Sequence, residues 1–298
     1  MECCLAVDIG GTKMAVGVVD RDGALIASRR VATPDTQDAE ELFIVLAAEV
    51  GLVLAEGGGD GVLSPAACGV GCGGPMSAGG ETVSPLNIPA WRDFPLRGRL
   101  EALTGLPTGV ENDAKSLALG EGWCGAAHGR QDFMAMVVST GVGGGIVLDG
   151  RLLHGAAGNA GHVGHVVVEP DGRRCACGGR GCLEAEASGT AIAATSGRPP
   201  AEAGDEVIER SGRLVGRAVA SVVALLDLEL AVVSGGVALG FGAPFFTAAN
   251  RELHERAGLS FARSAEIVPG ALGARGPLVG AGAVGWRTVG RPVGAIAP

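Results

Sequence analysis

The hydrophobic positions of this chain fall into two patterns. Short, nearly continuous apolar runs are typical of buried strands, whereas apolar residues that recur every three or four positions are typical of amphipathic helices. The runs predict strands at 3–7, 14–19, 106–110, 133–138, 146–148 and 230–233. The helical repeats predict helices at 38–56, 114–123, 206–226, 242–254 and 278–287. In helix 38–56 the apolar residues form one stripe, so we expect that helix to pack against a core.

The length and composition indicate a soluble, folded protein. A chain of 298 residues with 47% hydrophobic content is long enough for two domains that share a cleft. The longest apolar run, at 218–226, is far shorter than the roughly 20 residues of a membrane helix. The N-terminus has no basic region followed by an apolar one, so we expect a cytoplasmic protein and no membrane partner.

The net charge argues against a nucleic acid partner, and the cysteine content indicates the redox compartment. The formal net charge of −9 repels nucleic acid phosphates, and no stripe of Lys or Arg offsets it. The eight cysteines agree with a reducing compartment. If the protein binds a nucleotide, we expect backbone amides and a metal ion to hold it.

A glycine turn separates the first two predicted strands. It reads Asp8-Ile9-Gly10-Gly11-Thr12-Lys13. A strand, glycine turn and strand form a hairpin that presents backbone N–H groups and a Thr hydroxyl to an anion. An ordinary β-turn is the alternative.

Two further glycine segments follow strands. Ser139-Thr140-Gly141-Val142-Gly143-Gly144-Gly145 repeats the design of the first hairpin, so two such loops could hold the phosphates of ATP. Ser234-Gly235-Gly236-Val237 follows the strand at 230–233, where glycines would let adenine or ribose approach the backbone. A plain βα turn explains the second segment equally well.

The segment Glu111-Asn112-Asp113 precedes the predicted helix 114–123. Asn112 or Asp113 could simply cap that helix. Alternatively, Asp113 is a base that orients an attacking hydroxyl and accepts its proton, with Asn112 bound to a neighbouring hydroxyl. The presence of two phosphate loops favours the catalytic role.

A cluster of metal-ligating residue types lies in the middle of the chain. His165, Cys175, Cys177 and Cys182 have the composition and spacing of a closed tetrahedral Zn²⁺ site, with glycines between them. Four protein ligands leave no open position, so the metal would orient a surface and do no chemistry. A disulfide with one spare thiol is the alternative, but Cys-x-Cys closes too small a ring.

These motifs occur in an order that resembles the repressor, open reading frame, kinase (ROK) family, and in particular its bacterial glucokinases. The remaining shared motifs are Gly161-His162-Val163-Gly164-His165 and the cysteine segment that ends in Glu184. The resemblance covers nearly the whole chain. It implies a two-domain actin-like, hexokinase-like α/β fold with a structural zinc site, and transfer of the γ-phosphoryl group of ATP, with Mg²⁺, to the 6-hydroxyl of glucose or a related hexose.

The resemblance also implies a role for individual residues. Asp113 would be the general base, and the sugar would contact Gly73, Gly74, Asn112, His162, His165 and Glu184. The phosphates would contact Gly10, Gly11, Thr12, Lys13, Thr140, Gly141, Gly143 and Gly144, and the nucleoside would lie at Gly235 and Gly236. The zinc ligands would be His165, Cys175, Cys177 and Cys182.

One position departs from the family pattern. Family kinases usually carry Glu where this chain has His162. A carboxylate accepts from two hydroxyls, whereas a neutral imidazole offers one donor and one acceptor, so the sugar that is recognised must differ or be bound differently. An amino sugar, an N-acylhexosamine or a cyclitol is therefore the alternative substrate to glucose, and a merely packed His162 is the alternative to a binding one.

The expected organisation follows from these positions. We expect a small N-terminal domain at 1–111, joined by a C-terminal helix at 276–290, and a larger domain at 112–275 that carries the zinc segment. A homodimer or homotetramer is expected. A sugar-sensing regulator without catalysis is the remaining alternative; because only six residues precede Val7, we expect no winged helix-turn-helix of the regulator type.

Overall fold

The computed structural model describes residues 2–56 and 64–298, and residues 57–63 of the predicted first domain lie outside this range. Its first sheet has the strand order β3-β2-β1-β4-β5. The strands are β1 (Glu2–Ile9), β2 (Lys13–Asp20), β3 (Leu25–Ala32), β4 (Ser64–Cys72) and β5 (Thr108–Asn112). β1, β4 and β5 run parallel, with Ile9 opposite Cys72 and Cys72 opposite Asn112. Their carboxyl ends therefore meet at one edge.

The second sheet has the order β10-β9-β6-β7-β8. Its strands are β6 (Phe133–Val138), β7 (Val142–Leu148), β8 (Arg151–Leu152), β9 (Leu230–Ser234) and β10 (Glu266–Pro269). β6, β9 and β10 are parallel, and β7 is antiparallel to β6. The predicted glycine segments after β6 and β9 therefore lie side by side at one sheet edge.

Helices cover both sheets and fill the space between them. The helices are α1 (Ala39–Glu56), α2 (Leu96–Thr104), α3 (Asp113–Cys124), α4 (Leu183–Ala187), α5 (Gly189–Ser196), α6 (Asp205–Leu226), α7 (Gly236–Phe241), α8 (Ala243–Arg256) and α9 (Gly276–Thr288). Because successive side chains of a strand point to opposite faces of the sheet, alternate residues of one strand pack against different helices. In β6, Met134 and Met136 share a core with α6 and α8, whereas Phe133 and Ala135 share one with α3 and α9. The outer face of the first sheet packs on α1 and α2.

Glycines set the position of α3 between the sheets. A Cβ atom on Gly280 of α9 would lie 2.3 Å from the Ser116 carbonyl oxygen of α3, and one on Gly145 of β7 would lie 2.7 Å from Lys115 Cα. Both distances are too short for a side chain. The absence of a side chain at these positions lets α3 contact α9 and β7 backbone to backbone.

The second glycine segment differs from the prediction. The sequence predicts a loop over 139–145, but β7 begins at Val142, so only 139–141 form the turn. The prediction that Gly143 and Gly144 lie in a loop is wrong. The reason is packing, since a Cβ atom on Gly143 would lie 2.9 Å from Ala114 Cβ and one on Gly144 would lie 2.7 Å from Val163 Cγ1.

Two other predictions compare directly with the structure. The helix predicted at 242–254 is preceded by a separate short helix, α7, and Gly242 between them has φ +61°, which interrupts the helical backbone.

Among the described helices, none combines the length and the apolar character needed to cross a membrane.

Candidate active site

The junction of β5 and α3 carries the two polar residues predicted as a base and a ligand. Asn112 Oδ1 accepts hydrogen bonds from the N–H groups of Ala114 (3.1 Å) and Lys115 (3.4 Å), so Asn112 caps α3. Asp113, the first helical residue, accepts one bond from the Ala114 N–H at 2.8 Å. Asp113 is solvent-exposed, yet desolvation by the surrounding protein raises the pKa of its carboxyl above the ordinary value. The cap leaves Asp113 free for chemistry.

A second carboxyl group faces Asp113 from the end of β1. Burial, followed by the charge of Asp113, raises the pKa of Asp8 to about 7, while Lys13 and Arg30 act in the opposite direction. The two aspartates lie at the shared carboxyl edge of β1, β4 and β5. Two neighbouring carboxylates whose charges repel each other are a fitting site for a divalent cation, which would offset that repulsion.

The segment 161–165 brings His162, the residue that differs from the family pattern, close to Asp113. A Cβ atom on Gly161 would lie 2.3 Å from the Gly144 carbonyl oxygen, and one on Gly164 would lie 2.2 Å from that of Val142, so this segment packs directly on β7. His162 is close enough to lower the pKa of Asp113. Its own pKa is lowered, first by burial and then by His165 and Lys115. The structure thus brings Asp113 and His162 together.

Glu184 joins this group through the second glycine turn. Its Oε2 accepts a hydrogen bond from the Val142 N–H at 2.9 Å. The turn at 139–141 is also held by α5, because Gly189 N–H donates to the Ser139 carbonyl at 2.7 Å and Thr190 N–H to that of Thr140 at 3.2 Å. Glu184, placed by the resemblance on the sugar, therefore also contacts the turn predicted to bind phosphate.

The first glycine turn lies close to the loop that follows β4. Gly10 N–H donates to the Lys13 carbonyl oxygen at 3.0 Å and closes the hairpin, with Thr12 and Lys13 exposed. A Cβ atom on Gly11 would lie 2.8 Å from the Asn87 carbonyl oxygen, and one on Gly73 would lie 3.3 Å from Asn87 Oδ1. A Cβ atom on Gly74 would lie 3.6 Å from Asn112 Nδ2. The predicted phosphate and sugar loops of the first sheet are thus adjacent.

The predicted nucleoside segment follows β9. Gly235 has φ +102° and packs on the end of β6, where a Cβ atom would lie 2.3 Å from the Val138 carbonyl oxygen. Gly236 begins α7 beside Ser139. A largely apolar depression of about 600 Å³ lies beyond it, lined by Leu239, Gly242, Ala243, Phe246, Thr247, Asn250 and Pro269. Its size and lining suit a flat apolar ring.

The four predicted metal ligands form one cluster. The ligand atoms of His165, Cys175, Cys177 and Cys182 all lie within 4.8 Å of one another. Cys177 Sγ is 3.7 Å from Cys182 Sγ, and Cys175 Sγ is 3.7 Å from His165 Nδ1. Four ligands at about 2.3 Å from a tetrahedral zinc ion are about 3.8 Å apart, so donor set and spacing fit Zn²⁺.

Glycines make the turns of this cluster. Gly178 and Gly181 have φ of +92° and +69°, which side chains disfavour. A Cβ atom on Gly181 would also lie 1.6 Å from the Glu169 carbonyl oxygen. All eight cysteines of the chain, these three included, are free thiols. The cluster ends at Cys182, the residue before α4 and two residues before Glu184, so it fixes where that helix begins.

Sequence reasoning did not assign several residues of this site. Asp8 lies in the first glycine motif, but a carboxylate at the end of a strand gives no signal of the Asp113 carboxyl that faces it. His154 belongs to none of the sequence motifs, yet its Nδ1 lies 3.4 Å from Glu111 Oε2. Glu111 Oε1 lies 3.6 Å from Nζ of the buried Lys115. The contact between Glu111 and His154 joins residues more than 40 positions apart, which a single sequence does not reveal.

The similarity to known proteins agrees with this geometry. The profile of the ROK family matches residues 4–285. N-acetylmannosamine kinase of Escherichia fergusonii is 39% identical over 253 residues, which are 80% of this chain and 84% of that protein. The crystal structure of a ROK hexokinase from Thermus thermophilus has a TM-score of 0.83 at 34% identity and covers 96% of this chain and 99% of the other.

A ROK family glucokinase from Streptomyces griseus, solved with glucose and AMPPNP, gives a TM-score of 0.82 at 31% identity, with 96% and 99% of the two chains covered. The fold and the order of the site elements thus define a hexokinase-like α/β protein. The chain belongs to the ROK family. This confirms the family that the motifs predicted, and the named relatives support a sugar kinase as its class.

The raised pKa of Asp8 predicts how the free energy of unfolding depends on pH. Since the pKa of Asp8 is raised to about 7, its ionisation opposes folding, and stability decreases as pH rises from about 4 to about 7. We expect Asp8→Asn to increase the free energy of unfolding at pH 8 by roughly 1–3 kcal/mol, after allowance for partial exposure. The gain should shrink at pH 5.5. Urea unfolding without metal or nucleotide measures it.

The matched control is Asp22→Asn, which removes an exposed turn carboxylate. Its effect should be the same at both pH values. An Asp8→Asn variant that is less stable than the parent at pH 8 would contradict the account of this carboxyl pair.

Proposed function

We propose that this protein is an ATP-dependent kinase that phosphorylates the 6-hydroxyl of an N-acylated hexosamine, with N-acetylmannosamine as the first candidate. The observation that carries the proposal is the proximity of Asp113 and His162 in one cleft, where each changes the pKa of the other. Asp113 is the base, and the imidazole of His162 stands where family kinases usually carry a carboxylate. Such an imidazole suits a sugar that carries an amide. This favours the alternative substrate class over glucose.

The chemistry of the ligand supports this choice. An N-acyl group presents one N–H donor and one carbonyl acceptor, which match the acceptor and donor of a neutral imidazole. A carboxylate at the same position could only accept. Relatives that are 38–39% identical are named N-acetylmannosamine kinases. Glucose remains the second candidate, because structures of similar fold are named hexokinase and glucokinase.

The proposed reaction is an in-line phosphoryl transfer. The sugar oxygen forms a bond to the γ-phosphorus, the bond from that phosphorus to the β–γ bridging oxygen breaks, and ADP leaves. Asp113 orients the hydroxyl and accepts its proton. The turns at Gly10–Thr12 and 139–141 offer backbone N–H groups to the phosphates, and the apolar depression beyond Gly236 would take adenine. Movement of the two sheets toward each other would exclude water.

Two metal ions complete the proposal. The Asp8 carboxylate would hold the Mg²⁺ that accompanies ATP and offsets phosphate charge. The cluster of His165, Cys175, Cys177 and Cys182 would hold a structural Zn²⁺ that fixes the start of α4 and thereby Glu184. A regulator without catalysis would not need a base at Asp113, so retention of this residue favours an enzyme.

The base is tested by Asp113→Asn. We expect kcat to decrease by about 10²–10⁴-fold, because the hydroxyl loses its proton acceptor, while the fold and most of the sugar affinity are kept. A coupled ADP-release assay measures the rate, and calorimetric titration measures the sugar affinity. In the parent enzyme the raised pKa of Asp113 places the acid limb of the pH–rate profile above the ordinary Asp value. Near-normal turnover in the variant rules out this assignment.

Substrate choice is tested by His162→Glu. We expect the ratio of kcat/KM for N-acetylmannosamine to that for glucose to decrease by about tenfold or more, because the carboxylate cannot donate to the acyl carbonyl. The parent should be assayed with both sugars, glucosamine, mannose and a cyclitol. A parent that prefers glucose by a wide margin, or a ratio that does not change, would refute the role of His162.

The metal cluster is tested by Cys177→Ser and by chelation. We expect purified protein to contain about one zinc ion per chain. Loss of the zinc ion should weaken sugar binding more than ATP binding, because Glu184 lies two residues after the last ligand of the cluster. Cys124→Ser, a thiol outside the cluster, is the matched control and should change neither. Equal loss of both affinities would contradict a zinc role on the sugar side.

A further inference from the structure

A buried lysine lies two residues after Asp113, in the first turn of α3, and has no role in the reaction described above. The side chain of Lys115 is only 1% exposed, although it sits in the first turn of α3. An ammonium group without water requires partners that compensate its charge. Lys115 therefore indicates a specific contact, because a core position of this size would otherwise take an apolar residue.

The partners of Lys115 come from two places. Its Nζ donates a hydrogen bond to the Gly158 carbonyl oxygen at 2.6 Å and lies 3.6 Å from Glu111 Oε1. Glu111 Oε2 in turn lies 3.4 Å from His154 Nδ1. Gly158 and His154 both belong to the loop at 154–161, and Glu111 belongs to β5. One cation thus connects the strand and helix that carry Asp113 with the loop that leads to His162.

The loop packs on β7 at its end, Gly161, but over 155–160 it has few other connections to the rest of the described protein. Gly155, Gly158 and Gly161 all have positive φ, between +77° and +102°, so its backbone is not that of a strand or a helix. Within the loop Gly158 N–H bonds to Gly155, and Ala160 N–H bonds to His154. In the part of the chain that the structure describes, Lys115 is the one side chain from outside the loop that bonds to the backbone of 155–160.

The anchor on the helix side is itself fixed. The Lys115 N–H donates to the capping oxygen of Asn112, and Lys115 Cα lies against Gly145. Glu111, His154 and Gly158 line a cavity of about 620 Å³ beside β5, in which His154 is exposed and Glu111 is largely buried. The exposure of His154 weakens its pairing with Glu111, whereas the Lys115 side chain that bonds to Gly158 is buried.

We propose that Lys115 is a positioning residue that fixes the loop at 154–162, and with it His162, at a set distance from the helix that bears Asp113. The proposal deepens the proposed function, because the loop it fixes carries the residue assigned to substrate choice. With its side chain buried and its Nζ bonded to Gly158, Lys115 would not contact the sugar itself. Its loss should therefore affect sugar recognition through the loop and leave the nucleotide turns unchanged.

The test compares Lys115→Met with the parent enzyme in two measurements. Hydrogen exchange without any substrate should be at least about fivefold faster at the amides of 155–162 and unchanged in α1. The KM of the best sugar substrate should rise by about tenfold, while the KM of ATP stays within twofold. Leu46→Ala, a fully buried core change in α1, is the matched control. It should lower the unfolding temperature without changing exchange at 155–162 or the KM of the sugar.

The two measurements separate this proposal from the proposed function. Exchange needs no substrate, so it decides the role of Lys115 even if no sugar is phosphorylated. If Lys115→Met does not fold, Lys115→Gln, which is shorter and uncharged but polar, replaces it with the same expected result. Unchanged exchange at 155–162, or equal loss of sugar and ATP affinity in a folded variant, overturns the proposal.

Discussion

The close packing of α3 between the two sheets is the constraint on which the site depends. Contact at this distance is possible only because Gly145, Gly280 and Gly143 have no side chains where the helix passes. Protein interiors are packed as densely as crystals, so a helix held on two sides by backbone has little freedom to shift. The first residue of that helix is Asp113. Its position relative to both sheets therefore follows from glycines that lie far from it in the sequence.

The polar part of the site is organised around this rigid helix. Asn112 caps it, Asp8 faces it from β1, and His162 reaches it from the segment that packs on β7. Each of these groups lies at the end of a strand or in a turn, as is usual for functional residues on α/β scaffolds. The parallel strands of the first sheet bring Asp8 and Asp113 to one edge. In the second sheet, β6 and β9 place their glycine turns side by side.

Much of this arrangement could be predicted from the sequence. The apolar runs located β1, β2, β6 and β9, the motifs predicted the ROK family, and the Cys and His spacing predicted a cluster whose four donor atoms do converge. The roles of the individual site residues stay predictions. Where sequence reasoning was wrong, at Gly143 and Gly144, it took glycines for a loop when they are strand residues that make room for a helix and for Val163. A glycine has both uses, and only the neighbours distinguish them.

The hydrogen bond from the Val142 N–H to Glu184 has a consequence for how two ligands would influence each other. The same carboxylate belongs to the proposed sugar site and holds the end of the turn at 139–141. Anything that draws Glu184 toward a hydroxyl releases a backbone donor at the phosphate turn, and anything that occupies this donor frees the carboxylate. By thermodynamic linkage the two effects are equal in size, so sugar and nucleotide would bind as a heterotropic pair, coupled through the one hydrogen bond between Val142 and Glu184.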